Sequence, residues 1–180
     1  MKKVCLVALS LVILITGSFA MASNDFSTSM TVVNTIDLEK YLGTWYEYAR
    51  LDVSFERGMT ETQANYSMLE PDRKGRTRIR VVNSGIKNGR SKMAKGKAYI
   101  PIAEEPARLL VSFFGPFYGD YNVIALDMEN YQYALVAGSS TKYLWILTRE
   151  KDLDNTILEK LKSIARSYGY DTDKLIYPQK

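Results

Sequence analysis

The chain has 180 residues, of which 46% are hydrophobic and 24% are charged, with a formal net charge of +4. These proportions are typical of a single globular domain and exclude the disordered and fibrous classes. The sequence contains no histidine, which excludes a Ser-His-Asp triad, a Cys-His pair and the usual zinc ligand sets, because each needs an imidazole. We therefore expect no catalytic residues, no metal site and no cofactor.

The first 22 residues have the pattern of a cleaved secretory signal peptide. Lys2 and Lys3 precede an apolar run over Val4–Thr16, which is shorter than the roughly 20 residues that a membrane-spanning helix needs. An uncleaved anchor is the alternative interpretation. Cleavage after Ala22 fits an A-x-A site, and cleavage after Ala20 is the competing choice. We expect an exported, periplasmic protein.

Export would change both the charge and the cysteine content of the chain. Removing residues 1–22 takes away two lysines and no acids, which leaves 22 basic and 20 acidic residues and a formal charge of +2. The remaining basic residues are scattered, so we do not expect nucleic acid as a partner. The single cysteine, Cys5, lies in the signal peptide, so the exported domain is expected to contain no disulfide and no thiolate metal site.

Short runs rich in Tyr, Val, Ile and Thr, separated by Gly, Pro, Asn and Asp, predict eight β-strands. Short links between successive strands indicate antiparallel neighbours, and closure into an up-and-down barrel removes the exposed edges. The predicted strands cover residues 44–51, 62–69, 77–84, 91–100, 107–114, 121–126, 131–137 and 142–148.

One segment near the end of the chain has helical rather than strand periodicity. Asp154 can cap a helix, apolar residues recur at helical spacing from Ile157 to Tyr168, and Gly169 ends the pattern. This helix is expected to pack outside the barrel, with a final short strand over Leu175–Tyr177 alongside. The sequence thus predicts an all-β, eight-stranded antiparallel barrel with one C-terminal α-helix. Its expected parts are a signal peptide over 1–22, an N-terminal extension over 23–36 and a barrel domain over 37–180.

The interior of an eight-stranded barrel has room for one elongated small ligand, and every second residue of each strand faces it. Ordinary core packing is the alternative interpretation for each aromatic residue. Glu47 follows Trp45 by two residues and shares its face, so its carboxylate needs a basic partner such as an arginine or a ligand head group near the mouth. The predicted ligand contacts are Glu47, Asn65, Tyr99, Val111, Phe113, Val123, Tyr133 and Trp145.

The segment Gly43-Thr44-Trp45 resembles the G-x-W motif of the lipocalin family, and an ordered set of later segments resembles its bacterial outer-membrane and animal branches. The resemblance implies that Trp45 closes the barrel floor and that Arg149 stacks on it, a cation–π contact of about 0.5 to 2 kcal/mol. It also implies that Trp145 contacts the ligand. Bacterial members typically carry a lipid anchor on a cysteine at the cleavage site. No cysteine follows the apolar run here, so we expect no lipid anchor.

These patterns predict a protein that binds and carries or stores a fatty acid or lysophospholipid in the cell envelope. One alternative is an interaction protein with a filled barrel, in which the aromatic segment Phe113–Tyr118 contacts a membrane peripherally or forms a homodimer. A further alternative is a lipid-modifying enzyme, for which the sequence shows no converging acids.

Overall fold

The computed structural model describes residues 26–179, so the predicted signal peptide and its two cleavage sites lie outside the described residues. Eight antiparallel strands form a closed barrel in chain order, which confirms the predicted architecture. The strands are β1 (Gly43–Arg50), β2 (Met59–Leu69), β3 (Arg78–Lys87), β4 (Arg90–Tyr99), β5 (Arg108–Phe114), β6 (Phe117–Leu126), β7 (Tyr133–Ala137) and β8 (Leu144–Thr148). A short helix, α1 (Leu38–Tyr41), precedes β1.

Several strands are longer than predicted at one end of the barrel. The predicted strand over 107–114 ends where β5 ends, but β6 begins at Phe117, four residues before the predicted start at 121, so that Phe114 pairs with Phe117 at the tip of a hairpin. Gly115 and Pro116 form its turn and are joined by a cis peptide bond. The glycine and proline correctly predict that the chain reverses here. Strand pairing extends to the turn itself because the aromatic residues on either side of it favour β-strands.

The other end of the barrel is closed by Trp45, which is fully buried and donates from Nε1 to the carbonyl of Tyr41 at 2.7 Å. The guanidinium carbon of Arg149 lies 3.8 Å from the centroid of the tryptophan ring. Gly43 has a φ of +90°, a conformation that favours glycine. Arg149 also donates to the carbonyl oxygens of Lys40, Leu42 and Thr44. It thus ties α1 and the start of β1 to the end of β8.

The C-terminal helix α2 (Asn155–Ser167) packs on the outside of the barrel, as predicted, with Asp154 as its N-cap. Its buried residues Leu158, Leu161 and Ala165 lie in one cluster with Leu135 of β7. Both faces of β7 and β8 are therefore apolar, one towards the interior and one towards α2. A 3₁₀ helix over Thr172–Lys174 follows. In the described part of the chain, no helix is long and apolar enough to cross a membrane.

The predicted final strand is wrong: the tail makes a single β-bridge, between Ile176 and Arg50. The tail lies between β1 and β2 because these two strands pair only over the first four residues of β1. Beyond them, backbone groups of both strands need other partners. Ile176 exchanges two hydrogen bonds with Arg50, and Gln179 donates to the carbonyls of Glu47 and Thr62. The tail therefore completes the barrel wall between β1 and β2.

The described residues that precede α1 lie against the barrel instead of extending from it. Arg108 donates to the carbonyls of Ser27 at 2.9 Å and Met30 at 2.6 Å. The amide of Val33 donates to the carbonyl of Val123 at 3.0 Å, and the Met30 side chain is fully buried. This segment is consequently fixed to β5 and β6.

Candidate functional site

The barrel encloses a cavity of about 690 Å³ that opens at the end opposite Trp45. Small-molecule sites commonly have volumes of roughly 300 to 1,000 Å³. The alternative of a barrel filled by its own side chains is therefore wrong. The residues that line the cavity are Glu47, Phe55, Glu56, Met59, Thr62, Ala64, Tyr66, Val81, Asn83, Ser84, Lys87, Lys92, Met93, Ala94, Val111, Phe113, Phe114, Phe117, Gly119, Asp120, Tyr121, Gly138, Ser139, Tyr143, Trp145 and Leu147.

Four of the eight predicted ligand contacts line this cavity: Glu47, Val111, Phe113 and Trp145. Phe113 fits because β4 carries glycine opposite it, and a Cβ at Gly96 would come within 2.8 Å of the phenylalanine ring. A fifth predicted contact, Val123, also points inward, but it is fully buried in the packed interior outside the cavity lining.

The other three predicted contacts lie on the outer face of the barrel. Asn65 is exposed and donates to the Thr44 hydroxyl at 3.0 Å; its neighbours in β2 are the ones that line the cavity. Tyr99 lies under Arg76, whose guanidinium carbon is 3.9 Å from the ring centroid. Tyr133 packs in the cluster beneath α2. Each error is one of strand phase, because a shift of one residue exchanges the two faces.

Three tyrosines form the floor of the cavity: the buried Tyr41 and Tyr66 and the half-buried Tyr121. The hydroxyl oxygen of Tyr121 lies 2.7 Å from that of Tyr41 and 3.1 Å from that of Tyr66. Burial raises the pKa of all three phenols well above its usual value. The floor is therefore an uncharged hydrogen-bonded layer, and the rings of Tyr41 and Tyr66 stack at a centroid distance of 6.0 Å.

A cluster of charged groups lies beside the cavity on the β1 side, and a β-bulge makes it possible. Residues three apart in a regular strand face opposite sides, yet Glu47 and Arg50 both face inward. The register of β1 against β8 shifts between Glu47 and Ala49, so Tyr48 is the extra residue that a bulge inserts. Arg50 is fully buried as a result.

The guanidinium of Arg50 is shared by two carboxyl groups. Its Nε lies 3.3 Å from Oε2 of Glu47 and 3.6 Å from Oε2 of Glu56, and its Nη2 donates to the Glu56 carbonyl at 2.8 Å. Glu56 comes from the β1–β2 connection and accepts a hydrogen bond of 3.1 Å from Nε1 of Trp145. The cluster thus joins a strand residue, a loop residue and the predicted ligand contact on β8.

Burial governs the protonation of this cluster. It raises the pKa of Glu47 to about 8, and the nearby charge of Glu56 acts in the same direction. Burial also raises the pKa of Glu56, against the opposing effects of the Trp145 N–H and the Arg50 charge. Near neutral pH we infer that Glu47 holds a proton.

Beside the cavity, three side-chain oxygens are buried without a hydrogen bond of standard geometry among residues 26–179: Oε2 of Glu47, which forms the ion pair with Arg50, Oγ1 of Thr62 and Oδ1 of Asn83. All three residues line the cavity, and we call them the polar wall. The Thr62 hydroxyl and the Glu47 carboxyl face each other without forming a hydrogen bond of standard geometry. The opposite side, with Val111 and Phe113, is apolar.

The mouth of the cavity combines exposed apolar rings with positive charge. Phe114 and Phe117 at the tip of the β5–β6 hairpin are 82% and 79% exposed, and Phe55 is 60% exposed. Lys87 and Lys92, near the β3–β4 turn, also line the mouth. The entrance can therefore contact both the hydrocarbon part and the anionic group of an amphiphile.

Sequence reasoning missed Glu56, Arg50 and the tyrosine floor. Arg50 had a usable signal, because a buried Glu47 needs a basic partner and Arg50 is the nearest arginine in the chain. Glu56 gave none, since its position depends on how the Asp52–Gly58 segment folds over the mouth. Within the described residues, no group of three or more acidic, histidine or cysteine side chains is placed to hold a metal ion.

The lipocalin-like domain family matches residues 36–180 of the chain. Among curated proteins, the outer membrane lipoprotein Blc of Vibrio cholerae is 44% identical over 153 residues, covering 84% of this chain and 86% of that protein. Blc of Escherichia coli K12 is also 44% identical, with coverages of 83% and 82%. Mouse apolipoprotein D is 36% identical, with coverages of 82% and 78%.

Solved structures show the same barrel at lower sequence identity. Insecticyanin from the tobacco hornworm Manduca sexta superposes with a TM-score of 0.64 at 24% identity, covering 84% of this chain and 85% of that chain. Apocrustacyanin C2 superposes with a TM-score of 0.65 at 17% identity, covering 88% and 85%. These two likenesses concern the fold alone.

Proposed function

The chain belongs to the lipocalin-like family, and from this we propose that it binds a fatty acid or lysophospholipid in the barrel and carries or stores it in the cell envelope. The observation that carries the proposal is the cavity of about 690 Å³, which is closed at its floor by tyrosines and open at one end. Its shape suits one hydrocarbon chain that enters tail first.

The energetics of burial support a hydrocarbon ligand. Transferring about 12 methylene groups from water into the cavity provides roughly 10 kcal/mol at about 0.8 kcal/mol each, before ordering costs are subtracted. About 8 kcal/mol is enough for micromolar affinity. Val111, Phe113 and Leu147 supply apolar contacts along the wall.

Charge at the mouth supports an anionic head group there. Lys87 and Lys92 line the entrance, where a carboxylate or phosphate keeps part of its hydration while it meets their ammonium groups. Asp120 lies at the same rim, so the attraction is local. Deeper in the cavity, the Arg50 guanidinium is already shared by Glu47 and Glu56 and is not free to pair with a second anion.

The proposed location is the bacterial envelope. Relatives at 44% identity are named outer membrane lipoproteins, and the predicted signal peptide would export this chain to the periplasm. The exposed Phe114 and Phe117 at the mouth suit a peripheral contact with a membrane or with a second copy of the chain. Either contact would accompany ligand binding rather than replace it.

The direct test is mass spectrometry of lipids extracted from the full chain purified from the periplasm without detergent. We expect near-stoichiometric fatty acid or lysophospholipid. Delipidated protein titrated with octadecanoate should then show a change in the fluorescence of Trp145. Absence of co-purified lipid together with no fluorescence response would overturn the proposal.

A matched pair of variants on β5 tests where the lipid lies. Val111 lines the cavity, whereas the neighbouring Leu110 points outward opposite Tyr99. Val111→Asp should weaken octadecanoate binding by more than about tenfold, because it places a charge against the hydrocarbon chain. Leu110→Asp should bind nearly as the unmodified protein does. Equal affinities of the two variants would refute the interior site.

A second candidate function is favoured by the buried carboxyl pair itself. Two carboxyls with raised pKa values beside a cavity are also what acid–base catalysis uses. A lipid-modifying enzyme of this kind would turn over a lysophospholipid, and Glu47→Gln would abolish that turnover. Unchanged substrate after prolonged incubation with purified protein would dismiss this candidate.

A further inference from the structure

The barrel wall is incomplete at the mouth, between β4 and β5. Within residues 26–179, β4 pairs with β5 only over residues 97–99. Residues 90–95, nearer the mouth, pair with β3 on one side and are exposed throughout. Met93 and Phe114 stand on opposite sides of this opening, and both are exposed and line the cavity. We call the opening between residues 90–95 and the tip of the β5–β6 hairpin the notch.

The gap between β1 and β2 offers a comparison, because the C-terminal tail fills it. Ile176 and Gln179 donate and accept there in place of a neighbouring strand. At the notch, by contrast, none of the backbone hydrogen bonds that the described residues make outside their strands involves residues 90–95. The edge of β4 therefore stays open to a partner outside the barrel.

The hairpin formed by β3 and β4 concentrates the positive charge of the protein. Of the 22 basic residues after position 22, seven lie on these two strands, whereas none of the 20 acidic residues does. None of the seven forms an ion pair with another residue of the described part of the chain. They are Arg78, Arg80, Lys87, Arg90, Lys92, Lys95 and Lys97.

Protection of a strand edge against aggregation explains part of this charge, since lysines on an edge discourage pairing with another chain. It does not explain Arg80 and Lys97, which lie directly opposite each other below the open edge and repel, at a cost in stability. Among the acids that line the cavity, Glu47 and Glu56 are buried beside Arg50, which leaves Asp120 at the rim. The hairpin therefore presents a net positive surface to a partner.

The other side of the notch identifies the kind of partner. Phe114 and Phe117 protrude into solvent from the tip of the β5–β6 hairpin. Cations beside protruding apolar rings suit the surface of an anionic bilayer, because the cations meet phosphates while the rings enter the acyl boundary. A folded acidic protein would need a matching pocket for each ring. A second copy of the chain would bring two basic hairpins together.

We propose that the notch is a docking surface for an anionic lipid bilayer. The inference rests on the proposed function, since it names the membrane with which the lipid is exchanged. If the pairing of β4 and β5 continued past Lys97, Phe114 would face Lys95, so five more residues of β4 extend beyond the rings, by about 15 Å. The barrel then lies tilted with its β4–β5 side on the membrane, and a lipid tail passes sideways through the notch into the cavity.

Flotation with lipid vesicles tests the docking without any cargo. The delipidated full chain is mixed with vesicles of phosphatidylcholine, or of phosphatidylcholine and phosphatidylglycerol in equal parts. We expect binding to the mixed vesicles and little binding to phosphatidylcholine alone. Added salt should release the protein from the mixed vesicles, because it screens exposed charges.

A charge-matched pair of double variants locates the surface. Arg90→Gln with Lys95→Gln removes two exposed cations that do not line the cavity. The partition coefficient for mixed vesicles should fall about 30-fold, because each cation near an anionic bilayer contributes about 1 kcal/mol. Arg73→Gln with Lys74→Gln makes the same change of charge at an exposed turn of the closed end and should have little effect.

A second matched pair tests the apolar side of the notch. Phe117→Ala should weaken binding to mixed vesicles by about tenfold, because the ring no longer enters hydrocarbon. Met128→Ala removes an exposed apolar side chain from the β6–β7 connection at the closed end and should leave vesicle binding unchanged.

The outcomes distinguish this inference from the proposed function. Octadecanoate binding without vesicle binding would refute the docking surface and leave the carrier function standing. Vesicle binding that falls equally in the notch and closed-end variants would also refute it, as would a dimer that the Arg90 and Lys95 changes dissociate while vesicles stay unbound. Notch-dependent vesicle binding without octadecanoate binding would support the docking surface and refute the carrier.

Discussion

The two ends of the barrel satisfy their buried polar groups in different ways. At the closed end, Arg149 donates to backbone carbonyls and stacks on Trp45, and the hydroxyls of Tyr41, Tyr66 and Tyr121 bond to one another. Around the cavity, one guanidinium serves two carboxyls, and Oγ1 of Thr62 and Oδ1 of Asn83 have no hydrogen bond of standard geometry among residues 26–179. The closed end therefore holds the fold through satisfied hydrogen bonds, whereas the wall beside the cavity leaves buried polar atoms without one.

Arg50 and Arg149 express this difference most directly. Both guanidiniums donate to backbone carbonyls. Arg149 is also stabilised by an aromatic face, whereas Arg50 compensates the charge of buried carboxyl groups. Removing Arg149 should therefore cost stability through lost contacts, and removing Arg50 should cost stability through an unpaired buried charge.

The largest effect is expected for Arg50→Met. The substitution keeps apolar volume but leaves Glu47 and Glu56 without a cation, and breaking a buried ion pair on one side typically costs about 3 to 5 kcal/mol. Urea denaturation at neutral pH should show a loss of about 4 kcal/mol. Arg57→Met is the matched control: its partner Asp52 lies at 2.9 Å, but both side chains are exposed, so the midpoint should hardly move. Similar losses in both variants would contradict the charge argument.

The next largest effect is expected for Arg149→Met. It removes the contact with Trp45 and leaves the carbonyls of Lys40, Leu42 and Thr44 without this donor. The expected loss is about 3 kcal/mol, or about 10 °C in Tm by calorimetry. Arg76→Met tests the same geometry at the surface, where the guanidinium lies 3.9 Å from Tyr99; its effect should be much smaller. Affinity for octadecanoate should be unchanged in both folded variants.

A smaller effect is expected from pH. The pKa of Glu47 is raised from 4.5 to about 8 in the folded protein, so between these values the folded state holds a proton that the unfolded chain has released. The free energy of unfolding therefore falls as the pH rises through this window. We expect the free energy of unfolding to fall by about 2 kcal/mol between pH 5 and pH 8. One titrating group can contribute at most about 1.4 kcal/mol per pH unit, or about 4 kcal/mol over this range.

Glu47→Gln supplies the test, because the amide mimics the protonated acid and cannot ionise. Its stability profile, measured by urea denaturation across the same pH range, should be flatter than that of the unmodified protein. Glu61→Gln, at an exposed position on β2, should retain the slope. A slope that persists in the Glu47 variant would assign the titration to another group.

The barrel and its helix could be predicted because turn residues and strand formers alternate along the whole chain. Which face of a strand points inward was harder to predict. On β7, Ala134 and Val136 face the interior while Tyr133 and Leu135 face α2, so both faces are apolar. Hydrophobic alternation cannot distinguish two apolar faces, and Tyr133 was assigned to the wrong one.

The charged cluster could not be predicted for a different reason. Arg50 faces inward because one extra residue, Tyr48, interrupts the period of β1, and Glu56 reaches the cavity only through the fold of a loop. Both depend on backbone irregularities that lack a distinctive residue pattern. Trp145 was predicted as a ligand contact from the family resemblance, and it lines the cavity with Leu147 of the same strand, which pairs with β7 without a bulge.

The C-terminal tail has a consequence for anyone who re-engineers this barrel. Ile176 and Gln179 supply hydrogen bonds to the second half of β1, after Tyr46, where β1 is no longer paired with β2. A change at these residues, such as an affinity tag fused after them or their removal, would disturb the hydrogen bonds between the tail and strands β1 and β2 beside the cavity. Attachment chemistry is better directed to an exposed turn such as Lys74-Gly75 at the closed end, where a label leaves the wall intact.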